Sequence, residues 1–354
     1  MARPDAAQER RGDGLTSRTV LVTGGLGYIG SHACVTLAAA GYRVVVLDNL
    51  SNAKPAVLER LRSLTGQEIE FHRVDLRDRV ALEWAFAAAG AHAVIHFAGL
   101  KAVGESVQKP ALYYDNNIGG TCALLDAMAA HGVKRLVFSS SATVYGEPER
   151  LPLTESHPLR PQNPYGRTKL FIEQLLADCA AADPHFAYAA LRYFNPIGAH
   201  PSGRIGEDPR SIPNNLLPSL SQVAIGRLPK LPLYGNDYRT ADGTGVRDYI
   251  HIMDLARGHL CALAYLEAGG KPITANLGTG RGYSVLEMVR AFEKAAQMQI
   301  ALEIAERRPG DIAAYYADAS LAASALGWKA TLGIDEMCRD LWRWQLANPQ
   351  GYPD

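Results

Sequence analysis

The stretch from residue 19 to residue 49 restricts the fold more than any other part of the chain. Thr19-Val20-Leu21-Val22-Thr23 is a short β-branched, apolar run that breaks into Gly24-Gly25-Leu26-Gly27-Tyr28-Ile29-Gly30. A helical pattern over residues 31–40 follows and stops at Gly41, a suitable helix C-terminal residue. Arg43-Val44-Val45-Val46-Leu47 then reads as a second buried strand, ending in Asp48-Asn49. Strand, glycine turn, helix, strand and acid, in that order, make up a dinucleotide-binding βαβ unit. The glycines let backbone N–H groups approach a pyrophosphate at a helix N-terminus, whose dipole favours anions. The spacing reads either as G-x-G-x-x-G from Gly25 or as G-x-x-G-x-x-G through Gly24, Gly27 and Gly30. Asp48 is placed to accept hydrogen bonds from an adenosine ribose, and its charge would repel a 2′-phosphate. NAD is therefore expected rather than NADP.

The alternation continues. Residues 69–74 read as a strand ending at Asp75, a candidate neighbour of adenine, and residues 80–89 as a helix. Residues 93–97 form a strand ending in Ala98-Gly99, small enough to let a cofactor close to the sheet edge. A long helix is expected over 113–131, carrying Asn116 and Asn117, and residues 135–138 then deliver Ser139-Ser140-Ser141 to a strand end. Ligands of doubly wound sheets bind outside the carboxyl ends of the strands, where Asp48, Asp75, Gly99 and Ser141 all fall.

If residues 164–179 are helical, Tyr165 and Lys169 share one face, four residues apart. A nearby ammonium favours the phenolate, so Lys169 is expected to pull Tyr165 down from its ordinary pKa near 10 toward working pH. Such a phenolate can take a proton from a sugar hydroxyl and return it. The same pair on an amphipathic helix also reads as ordinary packing; it is Ser141 and the dinucleotide unit that single it out.

With 354 residues, 47% hydrophobic and 20% charged, the chain can bury a large core and has the length of about two domains. Its net charge of zero points away from nucleic acid and anionic membrane surfaces as partners. No apolar run reaches the roughly 18 residues of a spanning helix, and residues 1–17, polar and without an apolar stretch, read as a mobile tail. Five scattered cysteines without a C-x-x-C pair suit reduced thiols in a cytoplasmic protein. Neither the cysteines nor the ten histidines have metal-ligand spacing, and His92 and His96 are separated by a strand pattern, so no metal is expected.

Long blocks of the chain resemble the extended short-chain dehydrogenase/reductase family and, within it, the UDP-glucose 4-epimerase (UDP-galactose 4-epimerase) branch. They are Val22-Thr23-Gly24-Gly25 through Gly30-Ser31-His32, His96 through Ser106, Ser139 through Gly146, Leu191-Arg192-Tyr193-Phe194-Asn195-Pro196, Pro213-Asn214-Asn215-Leu216, Gly243 through His251, and the ending Pro349 through Asp354. The resemblance runs from about Thr19 to the C-terminus. It implies a Rossmann-type α/β fold, a doubly wound parallel sheet over residues 18–194, with a smaller mixed α/β substrate domain over 195–354. Residues 250–277 are expected to cross back to the first domain. It further implies Tyr165 as catalytic base, Lys169 on the nicotinamide ribose, Ser141 on the reacting hydroxyl and Thr143 assisting. Gly24, Gly27, Tyr28, Ile29, Gly30, Asp48, Asn49, Asp75, Leu76, Phe97, Ala98, Gly99, Lys101, Asn116 and Phe194 would line the NAD site with these.

In the second half, the residues from 195 to 245 are rich in Pro, Gly and Asn, as expected of ligand-facing loops. Helices are expected over 215–225, 254–267, 284–296 and 334–347, with short strands at 231–234 and 301–304. Guanidinium groups bind phosphate oxygens in bidentate fashion, but Arg247-Asp248 could equally be a local ion pair and Arg307-Arg308 a solvated basic pair. The resemblance assigns Arg247 and Arg308 to the pyrophosphate of a UDP-sugar, with Asn215 and Leu216 nearby. It puts Tyr234 by the uracil, Asp311 on the uridine ribose, Asn195 on the sugar or phosphate, and Tyr315 at the hexose. A bulky Tyr315 would favour UDP-glucose and UDP-galactose over N-acetylhexosamine forms, and core packing is the other reading of it. A 4,6-dehydratase would need an acid–base pair after Ser141, where Ala142 and Thr143 stand. A non-catalytic NAD-dependent sensor commonly loses the tyrosine or lysine, and both are present. The family also suggests a homodimer through residues 109–131 and 164–182.

Overall fold

The structure, a computed structural model, describes residues 18–208, 215–308 and 311–353. The tail expected over 1–17, and Pro213 and Asn214, lie outside the described residues. In chain order, β1 (Thr19–Thr23), α1 (Tyr28–Ala39), β2 (Arg43–Asp48), α2 (Ala56–Thr65), β3 (Glu70–Arg73), α3 (Arg79–Ala89) and β4 (Ala93–His96) alternate, α2 being the one element of these not expected above. After α4 (Val103–Gln108), α5 (Pro110–Tyr113) and α6 (Gly120–Ala130) come β5 (Arg135–Ser141), α7 (Pro164–Ala182) and β6 (Ala187–Tyr193). The second half contains β7 (Asn195–Ile197), α8 (Leu216–Ala224), β8 (Leu231–Tyr234), β9 (Val246–His251), α9 (Ile252–Glu267), β10 (Ile273–Leu277), β11 (Gly282–Ser284), α10 (Val285–Ala296), β12 (Leu302–Ala305), β13 (Ala314–Tyr315), α11 (Ser320–Ala325) and α12 (Ile334–Ala347).

Seven strands form one parallel sheet in the order β3-β2-β1-β4-β5-β6-β10. Both faces of this sheet are covered, so the inner strands β1 and β2 carry continuous apolar runs rather than alternating ones, whereas the edge strand β3 is mostly polar and only partly buried. Along β1, Val20 and Val22 enter one core and Leu21 the other; along β2, Val44 and Val46 part in the same way from Val45 and Leu47. The strand order reverses at β1 and β4, which opens a crevice at their carboxyl ends. The return of residues 252–277 brings α9 against α1 and adds β10 to the edge of this sheet, beside β6.

β9 is the centre of a smaller sheet, antiparallel to β11 and parallel to β7 and β13, while β8 and β12 form a separate parallel pair.

Two local features depart from expectation. The helix expected over 113–131 is broken by a π-helical turn, Tyr114–Gly119, between α5 and α6. Such turns are frequent at functional sites. Here it buries Asn117, whose Oδ1 accepts from Leu100 N at 2.8 Å and whose Nδ2 donates to Leu100 O at 3.0 Å and Thr168 Oγ1 at 3.1 Å. β5 also extends through all three serines rather than ending before them.

Candidate active site

All four glycines of the turn are closely packed. Gly24 has φ +66°, and a Cβ there would lie 2.7 Å from Ala98 N. Gly27 is the N-cap of α1 and makes no side-chain cap bond, so the first N–H groups of that helix keep their capacity to meet an anion. A Cβ on Gly30 would stand 2.2 Å from Gly24 O. A Cβ on Gly25 would meet the Val46 side chain at 2.9 Å and Val22 O at 3.1 Å, and one on Gly27 would meet Gly24 O at 3.2 Å.

Asp48 does more than the sequence reading expected. Its Oδ2 accepts from Leu26 N at 3.1 Å and its Oδ1 from Leu50 N at 2.9 Å, so it ties the glycine turn to the end of β2. Burial raises its pKa, and these two amides oppose the rise. Asn49 Nδ2 donates to Asp75 Oδ2 at 3.0 Å, and the side chain of Arg77 holds the Asp75 carboxyl well below the usual carboxylate range. Tyr28 donates to Gly198 O at 2.7 Å, while Ile29 packs on the core. Across the crevice, Leu76 is buried beside Gly120, Phe97 packs on the His259 ring, Ala98 N donates to Thr23 Oγ1, and Gly99 approaches Asn117. Asn116 Nδ2 donates to Asn117 Oδ1 at 3.0 Å, and Lys101 pairs with Glu207 at 3.2 Å.

Asn163 caps α7, accepting from Gly166 N at 2.8 Å, and Pro164 occupies the first turn, which fixes where the helix begins. Tyr165 and Lys169 then lie on one face. The Lys169 ammonium is 5.9 Å from the Tyr165 ring centre and donates to Ser139 O at 2.6 Å. Ser141 Oγ accepts from Thr143 N at 3.2 Å and Thr143 Oγ1 at 3.0 Å, and its hydroxyl also interacts with Tyr165.

The expected lowering of the Tyr165 pKa is not found. Burial pushes this phenol up to about 12, the Ser141 hydroxyl pulls the other way, and nearby Tyr315 adds to the rise. Burial also pulls Lys169 down to about 8. Helical spacing brings the pair together, but removal from water outweighs the attraction of an amine directed at a backbone carbonyl.

From the second half, Tyr315 donates to Asn195 Oδ1 at 3.2 Å and lies 5.5 Å from the Phe194 ring. The Arg247 guanidinium is 5.0 Å from the Tyr315 ring and 3.7 Å from Asp311. Arg308 lies over the Tyr234 ring at 3.8 Å. Asn215 is the N-cap of α8 without a side-chain cap bond, and Leu216 opens that helix. The Arg247–Asp248 pair does not form, because neighbouring strand residues face opposite ways. Asp248 is fully buried and accepts instead from Thr279 N, Thr279 Oγ1, Gly280 N and Ala317 N at 2.7–3.1 Å. Arg307, rather than pairing with solvent alone, binds Asp237 at 2.7 Å.

Sequence reasoning passed over a buried group behind the site: Glu173, Arg192, Tyr145 and Asn276. The signal was present, since Glu173 follows Lys169 by the same four residues that separate Lys169 from Tyr165. Among the described residues there is no His, Cys, Asp and Glu group able to hold a metal ion. His92 and His96 are occupied by Glu267 and by threonine hydroxyls respectively.

A parallel sheet with a glycine turn at its switch point, and a Tyr/Lys pair beside a strand-end serine, define a member of the extended short-chain dehydrogenase/reductase class. Residues 21–341 match the family model described as GDP-mannose 4,6 dehydratase. Similar proteins include the UDP-glucose 4-epimerase of Bacillus subtilis, 57% identical over 333 residues (94% of this chain, 98% of that protein). That of Dictyostelium discoideum is 56% identical over 336 residues (95% and 98%). Among solved structures, the Bifidobacterium longum UDP-glucose 4-epimerase in complex with NAD⁺ and UDP has a TM-score of 0.91 at 52% identity, covering 94% of this chain and 100% of that one. The Stenotrophomonas maltophila enzyme with bound NAD and formylated UDP-arabinopyranose has a TM-score of 0.92 at 51% identity, covering 94% and 99%. The chain belongs to the UDP-glucose 4-epimerase family.

Proposed function

We infer that this chain is an isomerase that interconverts UDP-galactose and UDP-glucose at C4 of the hexose, using bound NAD. The observation that carries the reading is the placement of Tyr165, Lys169 and Ser141 together at the carboxyl edge of a dinucleotide-type sheet. The residues fit the cofactor: an uncapped helix N-terminus follows a turn too tight for side chains, with an acid at the next strand end. When bound, NAD supplies reversible hydride acceptance at the sugar carbon and a positive charge.

Tyr165 takes the proton of the 4-hydroxyl and later returns it, with Ser141 orienting that hydroxyl and Thr143 fixing Ser141. Positive charge brought into the site lowers the phenol against the burial that raises it. Lys169 contributes its ammonium to the same end and is available to a ribose hydroxyl. Gly24, Gly27 and Gly30 with Tyr28 and Ile29 receive the pyrophosphate. Asp48 and Asn49 receive the adenosine ribose, Asp75 and Leu76 the adenine, and Phe97, Ala98, Gly99, Lys101, Asn116 and Phe194 the remaining wall.

Arg247 and Arg308 hold the UDP pyrophosphate with Asn215 and Leu216 nearby, Tyr234 and Asp311 hold the uridine, Asn195 meets the sugar or phosphate, and Tyr315 borders the hexose. A grip on the uridine diphosphate with few bonds to the sugar lets the 4-keto sugar turn and present its other face. Remote binding energy then positions the reacting end without freezing it. The bulk of Tyr315 supports a preference for UDP-glucose and UDP-galactose over N-acetylhexosamine forms. Dehydration is disfavoured by Ala142 and Thr143, neither of which can protonate a leaving hydroxide.

On this reading residues 18–194, with 250–277, form the NAD part and the rest of 195–354 the sugar-nucleotide part. A homodimer through α5–α6 and α7 is supported by the exposed Leu112 and Phe171 side chains on those helices. A cytoplasmic place is supported by five cysteines that are all free; among the described residues no helix is long and apolar enough to cross a membrane. The test is incubation of the purified protein with UDP-galactose and no added NAD, followed by sugar analysis. UDP-glucose is expected. Accumulation of a 4-keto-6-deoxy sugar, or binding without any change in the sugar, would contradict the reading.

A further inference from the structure

Tyr165, Lys169 and Glu173 occupy three successive turns of one face of α7. Glu173 and Arg192 are 6% and 5% exposed, and Arg192 grips the carboxylate with Nε at 2.9 Å from Oε1 and Nη2 at 2.6 Å from Oε2. Ser140 donates to the same carboxylate from β5. Arg192 Nη1 reaches Tyr145 OH at 3.1 Å, and Tyr145 donates to Asn276 Oδ1 at 2.6 Å, so the pair joins α7 to β5, β6 and β10. A buried ion pair contributes little net stability, and well-packed apolar residues often serve as well. Its place here calls for another role.

We propose that Glu173, clamped by Arg192, is a positioning residue that holds Lys169 as an ammonium beneath the serine strand. Lys169 lies on the Phe138 ring at 4.9 Å with one hydrogen bond, to Ser139 O, and is almost fully buried. The ionisable groups around it are Tyr165 and Glu173 on α7, His96 on β4, and Tyr193 and Arg192 on β6. His96 is neutral, pulled down to about 3 by burial, and Tyr193 is pushed up by burial while bonded to Ser139. Glu173 is thus the anion that opposes the burial acting on Lys169. Arg192 fixes the carboxylate in place, and Ser140 ties it to the strand whose next residue is Ser141.

The inference deepens the epimerase reading and rests on it only for its kinetic arm. The experiment is a pH titration of Lys169 in the holoenzyme, read from the ¹³Cε signal of labelled lysine, with the pH profile of kcat and the Tm recorded alongside. Glu173→Gln should move the Lys169 titration acidward by about 1 pH unit or more, with the alkaline limb of kcat moving in step. Glu173→Gln combined with Arg192→Met removes both buried charges and should fold even if the single variant does not. It should still shift Lys169 acidward, because Glu173 is the charge the amine feels. A Lys169 titration within about 0.3 unit of the parent in a folded variant overturns the proposal. So does a lower Tm with an unmoved kcat profile. A parent that binds UDP-sugar without converting it would sink the epimerase reading and leave the titration arm standing.

Discussion

Replacing Gly30 with alanine puts a methyl group where the glycine turn already lies. The new Cβ would stand 2.2 Å from Gly24 O and 2.8 Å from Gly25 Cα, against ordinary contact from 3.4 Å upward. The turn or the first turn of α1 must therefore withdraw by about 1 Å. Gly24 has little room to yield, since its N–H is bonded to Leu47 O at 2.7 Å and its Cα faces the backbone of Ala98. Overpacking of this kind costs about 1–3 kcal/mol. With an unfolding entropy of ~2.1 cal/mol/K per residue, the 354-residue chain loses about 1.5–4 °C in Tm. The larger effect falls on the cofactor. Misplacing one charge-assisted hydrogen bond to the pyrophosphate forfeits about 1.5–3 kcal/mol, on the order of 10- to 100-fold in NAD affinity. Scanning calorimetry gives the first quantity, and NAD content after purification with calorimetric titration gives the second. A Gly30→Ala protein that keeps a full complement of NAD and the parental Tm would refute the reasoning.

Acid should unfold the protein early. His32, His96 and His259 are held neutral by burial, with pKa values pulled to about 3, 3 and 4, whereas the unfolded chain takes up these protons near pH 6.5. The unfolded state therefore binds more protons between about pH 6.5 and 4, and stability falls as pH falls through that window. At ~1.36 kcal/mol per unit, each histidine costs about 2 kcal/mol by pH 5, and a Tm unchanged between pH 7 and 5 would contradict the account. Arg247→Met should weaken UDP binding on the order of 10- to 100-fold through lost charge-assisted bonds to phosphate. Calorimetry with UDP checks this, and unchanged affinity would remove Arg247 from the pyrophosphate.

The nucleotide-binding half was legible because burial on both faces leaves continuous apolar runs, and because glycines and acids punctuate them at the strand ends. Val20, Leu21 and Val22 are all buried although they face two different cores. The π-helical turn was not legible, since Tyr114–Gly119 has no composition that separates it from a helix. Nor was the small sheet, in which β9 pairs with segments of two or three residues drawn from three distant places. Such short runs have no period to read. Around Tyr165 the spacing gave proximity to Lys169, but the burial that reverses the expected pKa shift comes from residues far away in the chain. Asp248 and Arg247 show the same limit. Which of two adjacent charges is buried depends on the face of β9, and only the packing of Thr279, Gly280 and Ala317 decides it.

The most direct test of the account is Tyr165→Phe, assayed for UDP-galactose turnover alongside NAD content, UDP affinity and Tm. Loss of a positioned proton acceptor and donor predicts a fall in kcat on the order of 10²- to 10⁴-fold, with fold, cofactor and UDP binding retained. Turnover near the parental rate in that variant would contradict the central claim.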